Sequence, residues 1–393
     1  MDFPHKIPAL SNPDIPSLAL ARITRSIAGG MINVAFPYYI LTTLHYGTLE
    51  MGIIFLCARI ATALLCFLSG LTADVWGKRN TLILASLLFP LGAVMVYFST
   101  GLWELILSAM IGGFSASGSL GGGAGGAVQP VQSVILADLT SRENRTKIFS
   151  LFSFMSGLAA AVGALLTKVL SVREVFLIAS IVSTIGIPGL LTLHVANTKR
   201  KIVRLKTKAT IGKFTLTGML NGLSQGLVVP FLIPFFVLVY HIPMSQMSIY
   251  AFAGRLLGSG AILGAPMLER KFGFVRSIVI TRGLGLFLFT LLPVVRFLPV
   301  SIAIYILAPS LRVAAAPIQR SELTKRVHKD EIGRALGINQ VARLAASSTG
   351  TGLSGYLMQS ALYEIPFFAY GVLMLGNLYL YVRFFGSKKE TAD

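Results

Sequence analysis

Twelve runs of twenty or more mostly apolar residues follow one another along the chain. They lie at 17–44, 49–71, 80–99, 102–137, 147–170, 174–196, 211–240, 245–268, 276–295, 299–320, 332–358 and 361–384. About 20 such residues in a helix, each rising about 1.5 Å, cross the ~30 Å hydrocarbon core of a bilayer. Inside lipid a backbone must satisfy its own N–H and C=O groups, and a helix does so within one segment. The runs therefore predict an all-α membrane protein with twelve transmembrane helices. Composition excludes the alternatives. Of the 393 residues, 54% are hydrophobic and only 12% charged, where a soluble chain of this size carries about 25% charged residues. Disordered chains, disulfide scaffolds and soluble solenoids are excluded on the same ground. Cys57 and Cys66 are nine residues apart in one run, on opposite sides of a helix, and cannot pair. The first residues, broken by Pro4, Pro8, Pro13 and Pro16, do not have the layout of a cleavable signal peptide.

The formal net charge is +19, from 34 Lys and Arg against 15 Asp and Glu. With both termini on one side of the membrane, 24 of the basic residues fall on that side, 3 on the other and 7 within the runs. A bias of this size is the positive-inside pattern and predicts cytoplasmic termini in a multi-pass protein of the cell membrane. It also accounts for the basic character without a nucleic-acid partner. The basic stretch at 197–213 separates an N-terminal six-helix bundle, 1–196, from a C-terminal one, 214–393.

The two bundles repeat one another. At an offset of 196, Gly30 meets Gly226, His45 meets His241, Met51 meets Met247, Arg59 meets Arg255 and Gly77 meets Gly273. At an offset of 187, Pro130-x-Gln132 meets Pro317-x-Gln319, Lys147 meets Arg334 and Gly163 meets Gly350. The offsets differ by the length of the glycine run at 118–126, which reads as an insertion in the first bundle. Six crossings are an even number, so the copies enter the membrane with the same polarity and form a parallel repeat.

Between the second and third runs the chain reads Gly70-Leu-Thr-Ala-Asp74-Val-Trp-Gly77-Lys78-Arg79. This resembles the G-x-L-A-D-x-x-G-R/K-R/K loop of the major facilitator superfamily. The second copy, around Leu268 to Gly273, is degenerate and has Arg270 in place of Asp74. The resemblance covers nearly the whole chain. It implies two pseudo-symmetric six-helix bundles rocking about a central site lined by helices 1, 4, 7 and 10. It also implies a cytoplasmic gate made of Gly70, Asp74, Gly77, Lys78 and Arg79, with Arg145 in the next loop on that side. Asp74 would approach the N-terminus of helix 11, where a helix dipole favours a carboxylate, or would cap a local turn. Subfamily marks are missing. Helix 4 has Ser108-Ala109 where drug antiporters carry an arginine, helix 5 reads Gly163-Ala-Leu-Leu without their Gly-Pro pair, and helix 7 has Asn221 and Gln225 rather than the paired glutamines of sugar porters.

The charges inside the runs bear on the solute. Glu50 and Glu104 sit at outer ends, and the other thirteen acidic residues lie in loops, tails or span ends. Arg25, Arg59, Arg255, Arg312 and Arg343 occupy middle parts of runs, and Arg22 and Arg282 lie nearer the inner face. An arginine at a helix centre costs about 2.5–3.5 kcal/mol and stays protonated. By helical spacing Arg22, Arg25, Gly29 and Asn33 share one face of helix 1. Tyr305, Arg312 and Gln319 share a face of helix 10, and Asn339, Arg343, Ser347 and Gly350 a face of helix 11. Such stripes face a protein interior or a water-filled cavity. The candidate solute-binding residues are thus Arg25, Asn33, Gln132, Asn221, Gln225, Arg312, Arg343, Arg59 and Arg255. In one reading the arginines fork onto an anion; in the other they hold backbone carbonyls, which suits the pseudo-symmetric Arg59 and Arg255 equally well. Without a midplane carboxylate, exchange or uniport is at least as well supported as proton coupling.

The glycine run is expected to be unwound near Ser117–Gly126, since glycine costs about 1 kcal/mol per helical residue. It lacks the Lys-Ser/Thr of a phosphate loop, and the chain shows no metal-ligand cluster or nucleophile elbow. The expectation is a monomeric secondary transporter for a small anion, not an enzyme, with no cofactor and with the lipid bilayer as its surroundings. The alternatives are efflux of drug-like compounds through an apolar cavity, or a non-transporting receptor or scaffold on the same fold.

Overall fold

The computed structural model describes residues 13–115, 126–140, 145–195, 206–328 and 331–386; the side chains at 74 and 145–147 also lie outside the described set. Its helices reproduce the twelve crossings. α1 is Asp14–Tyr38, ending in a π-helical turn, Tyr39–Thr43; α2 is Thr48–Val75 and α3 is Lys78–Phe98. α4 comes in two pieces, Leu102–Gly112 and Val128–Asp138. α5 is Arg145–Leu166, and α6 is Glu174–Ile185 with a further turn, Pro188–Leu191. α7 is Lys208–Val228 continued by Leu232–Tyr240. α8 is Met244–Phe272, α9 Phe274–Leu291, α10 Leu298–Arg326, α11 Ile332–Gln359 and α12 Ile365–Phe385. Among the described residues nine helices are long and apolar enough to span a bilayer by composition. The crossings outside that set are α1 and α11, which carry polar stripes, and the divided α4.

The interruptions have local causes. Gly113 ends the first piece of α4 at φ 72, a left-handed conformation suited to glycine, and the second piece begins at Val128. Residues 116–125, with most of the glycine run, lie outside the described residues. In α7, Pro230 has no N–H to give the ladder, and Val229–Phe231 tightens to a 3-10 turn. α10 runs beyond the apolar limit at 320 to Arg326. Arg326 pairs with Glu322 one turn back at 2.7 Å, and Lys325 reaches Glu269 at the end of α8 at 2.9 Å. These contacts carry the helix into the polar zone, where an apolar pattern cannot reveal it.

The repeat is visible in the packing. α1 lies on α5 and α6 as α7 lies on α11 and α12, and α2 lies on α4 as α8 lies on α10. At the crossing of α1 with α5, a Cβ on Gly30 would stand 2.1 Å from the carbonyl oxygen of Ala160, and one on Gly163 would stand 1.9 Å from that of Ile27. At the crossing of α7 with α11, the same distances are 2.1 Å from Gly226 to Ser347 and 2.3 Å from Gly350 to Leu223. Ala160 and Ser347 are equivalent at the offset of 187, and Ile27 and Leu223 at 196. Backbone angles repeat too. Gly77 and Gly273 turn the chain at φ 89 and 76, and His45 and His241 end their helices at φ 54 and 52.

The bundles meet through α2 against α11 and α5 against α8. One end of the molecule carries the basic loops and the linker; we call it the basic end. At the opposite, far end, a single apolar core takes in residues of both bundles, including Phe36, Phe55, Phe231, Phe236 and Tyr305. There Gly52 and Gly355 pack backbone to backbone, a Cβ on Gly52 standing 2.8 Å from the Gly355 Cα. Tyr38 donates to the Ile242 carbonyl at 2.6 Å, and Thr48 to that of Gly355 at 3.2 Å. At the basic end the apolar side chains form two separate clusters, one in each bundle.

Candidate functional site

The interior arginines fall into three groups, according to where each helix face turns. The first group spans the bundles. Arg59 on α2 is fully buried. Its guanidinium donates to the Ser347 hydroxyl and, at 3.2 Å, to the Ser347 carbonyl on α11. It also donates to the Ser115 carbonyl at the break in α4, at 3.3 Å. Arg312 on α10 and Arg343 on α11 lie within electrostatic range of Arg59. Arg343 also donates to Gln340 at 2.7 Å, and the Arg312 Nε–H is buried with no hydrogen-bond partner. Arg282 and Arg320 extend this positive region towards the basic end.

The second group lies within the bundles and repeats. Arg22 donates to Ser156 at 2.5 Å and to Gln132 at 3.5 Å in the first bundle. In the second, Arg282 donates to Gln319 at 2.6 Å and to Asn377 at 2.7 Å, and lies over the Tyr381 ring. Gln132 and Gln319 are the equivalent glutamines of the repeat, and each accepts from an arginine of its own bundle. Gln132 also donates to the Leu18 carbonyl at 3.4 Å.

Arg25 forms a third group. Its guanidinium is directed into the first bundle, 4.8 Å over the ring of Phe89 on α3 and next to Gly126 at the end of the break in α4. It lines a small pocket with Arg22, Ser86, Gln132 and Ser183. Cys66 on α2, whose thiol lies 3.3 Å from the Gly126 carbonyl, is in electrostatic range of both Arg25 and Arg343.

Arg255 on α8 forms a bond between bundles, donating to Asn33 on α1 at 2.6 Å. Together with Tyr305 and the broken turn of α7 the two line a pocket towards the far end. Asn221 is buried and accepts from Gln225 one turn on at 2.8 Å. Asn339 donates to the Phe214 carbonyl at 2.6 Å and ties α11 to α7. Sequence reasoning gave no site role to Cys66, Asn377 or Arg320. Only Arg320 had a signal, since it follows Gln319 of the repeated pair by one residue.

At the basic end Gly77 makes the turn and Lys78 follows it, buried, with its ammonium 2.8 Å from Asp138 at the end of α4. The second bundle has the same strut with the charges exchanged: Lys325, equivalent to Asp138, pairs with Glu269 beside the corresponding turn. Arg79 is exposed, and a Cβ on Gly70 would meet nothing within 4 Å. The implied contact between Asp74 and α11, and any part played by the Arg145 side chain, lie outside the described residues. Glu331, just before α11, accepts from the Thr207 hydroxyl and from the backbone N–H groups of Lys206 and Thr207. These bonds, that of the hydroxyl foremost, hold its carboxyl well below the ordinary value, at about 2. They fasten the start of α7 to the start of α11. Asp14 plays a similar part before the linker by accepting from the His194 N–H at 3.2 Å.

The sequence pattern of the Major Facilitator Superfamily matches residues 18–351. Solved structures of similar fold include a variant of the nucleoside transporter NupG, with TM-score 0.75 and 14% identity over 95% of this chain and 100% of that one. The xylose transporter XylE from E. coli, in a partially occluded inward open conformation, gives 0.73 and 13% over 98% and 99%. The human organic anion transporter MFSD10 gives 0.70 and 16% over 96% and 100%. At these identities the likeness is one of fold alone. No curated protein sequence matches the chain.

Proposed function

The chain belongs to the Major Facilitator Superfamily and is a multi-pass membrane transporter rather than an enzyme; we propose that its solute is a small organic or inorganic anion, moved by alternating access. One observation carries this reading. Arg59 of the first bundle and Arg312 and Arg343 of the second lie within electrostatic range of one another, and no Asp or Glu occurs at 51–73, 175–268, 270–321 or 332–363. Each such arginine costs about 2.5–3.5 kcal/mol in the membrane. Among the described residues the Arg312 Nε–H is buried with no hydrogen-bond partner, and the bond of Arg343 to Gln340 is to a neutral oxygen. An oxyanion entering between the bundles offers charged acceptors that match the fork geometry of guanidinium.

Arg312 and Arg343 are the proposed anion ligands. Arg59 and Arg255, already bonded across the interface, act as struts between bundles 1–196 and 214–393, joined by 197–213. Asn33, Asn221 and Gln225 line the neighbouring surface, and Arg25 and Gln132 support it from within the first bundle. The basic end faces the cytoplasm on the positive-inside rule, which places both termini there, and the transporter works as a monomer in the cell membrane. Transporters of this fold include ones named for nucleosides, xylose and organic anions, so the charge of the site and not the fold selects the anion.

Flux into proteoliposomes of purified protein tests the proposal. Saturable uptake of anions, reduced by about a hundredfold in Arg312→Ala and Arg343→Ala with normal insertion, is the expected outcome. Uptake of lipophilic cations or neutral drugs alone, unchanged in both variants, returns the arginines to a structural role and makes the protein an efflux carrier with an apolar cavity. The hydrogen bonds of Arg59 and Arg255 to neutral partners are what favour that second reading.

A further inference from the structure

We infer that the first turn of α2 is a two-way latch at the far end. Gln359, reaching over from the second bundle, caps it while that end is sealed, and Glu50 caps it when the bundles part. The inference rests on the alternating access proposed above and not on the charge of the solute.

Three helices that start at the far end share one pattern: Gly47-x-x-Glu50 at α2, Gly101-x-x-Glu104 at α4 and Ser171-x-x-Glu174 at α6. This is the spacing of a capping box, in which the glutamate reaches back to a backbone N–H at the helix start. α4 closes it, since Glu104 accepts from the Gly101 N–H at 3.1 Å and from that of Thr100 at 2.7 Å. α6 closes it too. Glu174 accepts from the Ser171 N–H at 3.2 Å, and its own N–H donates to the Ser171 hydroxyl at 3.4 Å. α2 does not. Its Glu50 Oε2 is buried and has no hydrogen-bond partner among the described residues. In its place stands Gln359, the last residue of α11. The Gln359 side-chain oxygen accepts from the Leu49 N–H and from the Thr48 hydroxyl, both at 3.4 Å. A backbone N–H can only donate, which puts the amide oxygen and not the NH2 towards α2. Gly47 makes the room. Its φ is −79, open to any residue, but a Cβ there would collide with the Gln359 oxygen and lie 2.8 Å from Glu50 Oε2. Two oxygens, one from each bundle, thus converge on the head of one helix, and the oxygen from the other bundle holds it.

A helix start leaves N–H groups that need partners from outside the helix. When α2 and α11 part, Gln359 is carried away from these groups. Glu50 needs only a side-chain rotation to take the Gly47 N–H, as Glu104 takes that of Gly101. The head of α2 is then capped in both states of the gate by different groups, and the difference between the two caps enters the gate equilibrium. The other seam between the bundles lacks the device. At the offsets of the repeat, Gln246 stands at the position of Glu50 and Val172 at that of Gln359. There Thr167 and Ser248 bond through their hydroxyls at 2.6 Å instead.

The test reads the opening of the far end at that other seam. Full-length protein in lipid nanodiscs carries Ser248→Cys as reporter, with Cys57→Ala and Cys66→Ala, and is labelled with a membrane-impermeant maleimide. Glu50→Ala removes the cap of the open state alone and should slow labelling by about fivefold, the worth of a typical cap. Gln359→Ala removes the cap of the sealed state and should speed labelling by about as much. The double variant should return close to the parent rate. Glu50→Gln keeps the size of the side chain and adds an N–H donor for the Gln359 oxygen. It should also slow labelling, and it covers the case in which Glu50→Ala does not fold. Unchanged or faster labelling in the Glu50 variants makes Glu50 a packing residue and overturns the latch, as does a Gln359→Ala protein labelled no faster than the parent. A reporter that reacts in denaturant but in none of the folded variants overturns the opening of the far end, and alternating access with it.

Discussion

The two ends of this molecule are built from the same twelve helices and behave as opposites. At the far end, Phe36, Phe55, Phe231 and Phe236 belong to one core that ignores the boundary between bundles, and Gly52 lets α2 touch α11 backbone to backbone. At the basic end the described apolar residues form one cluster in each bundle. The Lys78–Asp138 strut, the Lys325–Glu269 strut and the arginine–glutamine bonds all lie within a bundle. A surface that satisfies its polar groups internally can part from its partner without exposing orphaned donors. A shared apolar core must expose its area to part. Among the described residues, the far end is therefore the one sealed by a core common to both bundles.

The largest effect is expected where that seal is tightest. Gly52→Leu cannot fit at a contact of 2.8 Å. It should force the far end open, so that a cysteine at Thr48→Cys reacts with a membrane-impermeant thiol reagent at least about tenfold faster than in the parent, because overpacking costs typically about 1–3 kcal/mol. Unchanged labelling would mean that the far end is not held by this contact. A second comparison sets bundle against bundle. Gly30→Ala and Gly226→Ala meet equivalent carbonyls at the same 2.1 Å, so each should lower stability by about 1–3 kcal/mol. A marked difference in their melting temperatures would show that the bundles do not resist strain alike.

Glu331 links the linker to the second bundle, and its effect is set by pH. Its carboxyl is depressed from the ordinary 4.5 to about 2 in the folded protein. The stabilisation is complete above pH 4.5 and is lost as pH falls towards 2. Melting temperatures from pH 6 to pH 2 should fall through that window, and E331Q should be less stable at neutral pH and flatter across it. The smallest effect belongs to the struts. Lys78 is nearly buried and its partner about one-third exposed, whereas Lys325 is 59% exposed at its side chain. Lys78→Ala should cost about 1 kcal/mol, and Lys325→Ala no more than about 0.5 kcal/mol. The reverse order in thermal melts would place the stronger strut in the second bundle.

Much of this architecture was legible before any coordinates. The pairing of Gly30 with Gly226 and of Gly163 with Gly350 at two offsets pointed to equivalent helix crossings. Gly77 and Gly273, and His45 and His241, proved to be equivalent turns. The site was less legible. Helical spacing put Arg25 on a plausible face of α1, but an arginine side chain is long, and Phe89 and the break at Gly126 draw it into its own bundle. The extension of α10 to Arg326 was hidden because charged pairs, not hydropathy, support its last turns.

The number of crossings, their common polarity and the repeat were all written in the chain, because each is a sum over neighbouring residues: apolar length per helix, charge per loop, identity at a constant offset. The placing of Arg59 within electrostatic range of Arg312 and Arg343, the turn of Arg25 towards Phe89 and the common core at the far end were settled by assembly. They depend on how α2, α10 and α11 are rotated against each other, and that rotation is set by contacts such as Arg59 to Ser347, between residues far apart in the chain. Hydropathy says that an arginine must avoid lipid; only the packed bundles decide what it meets instead.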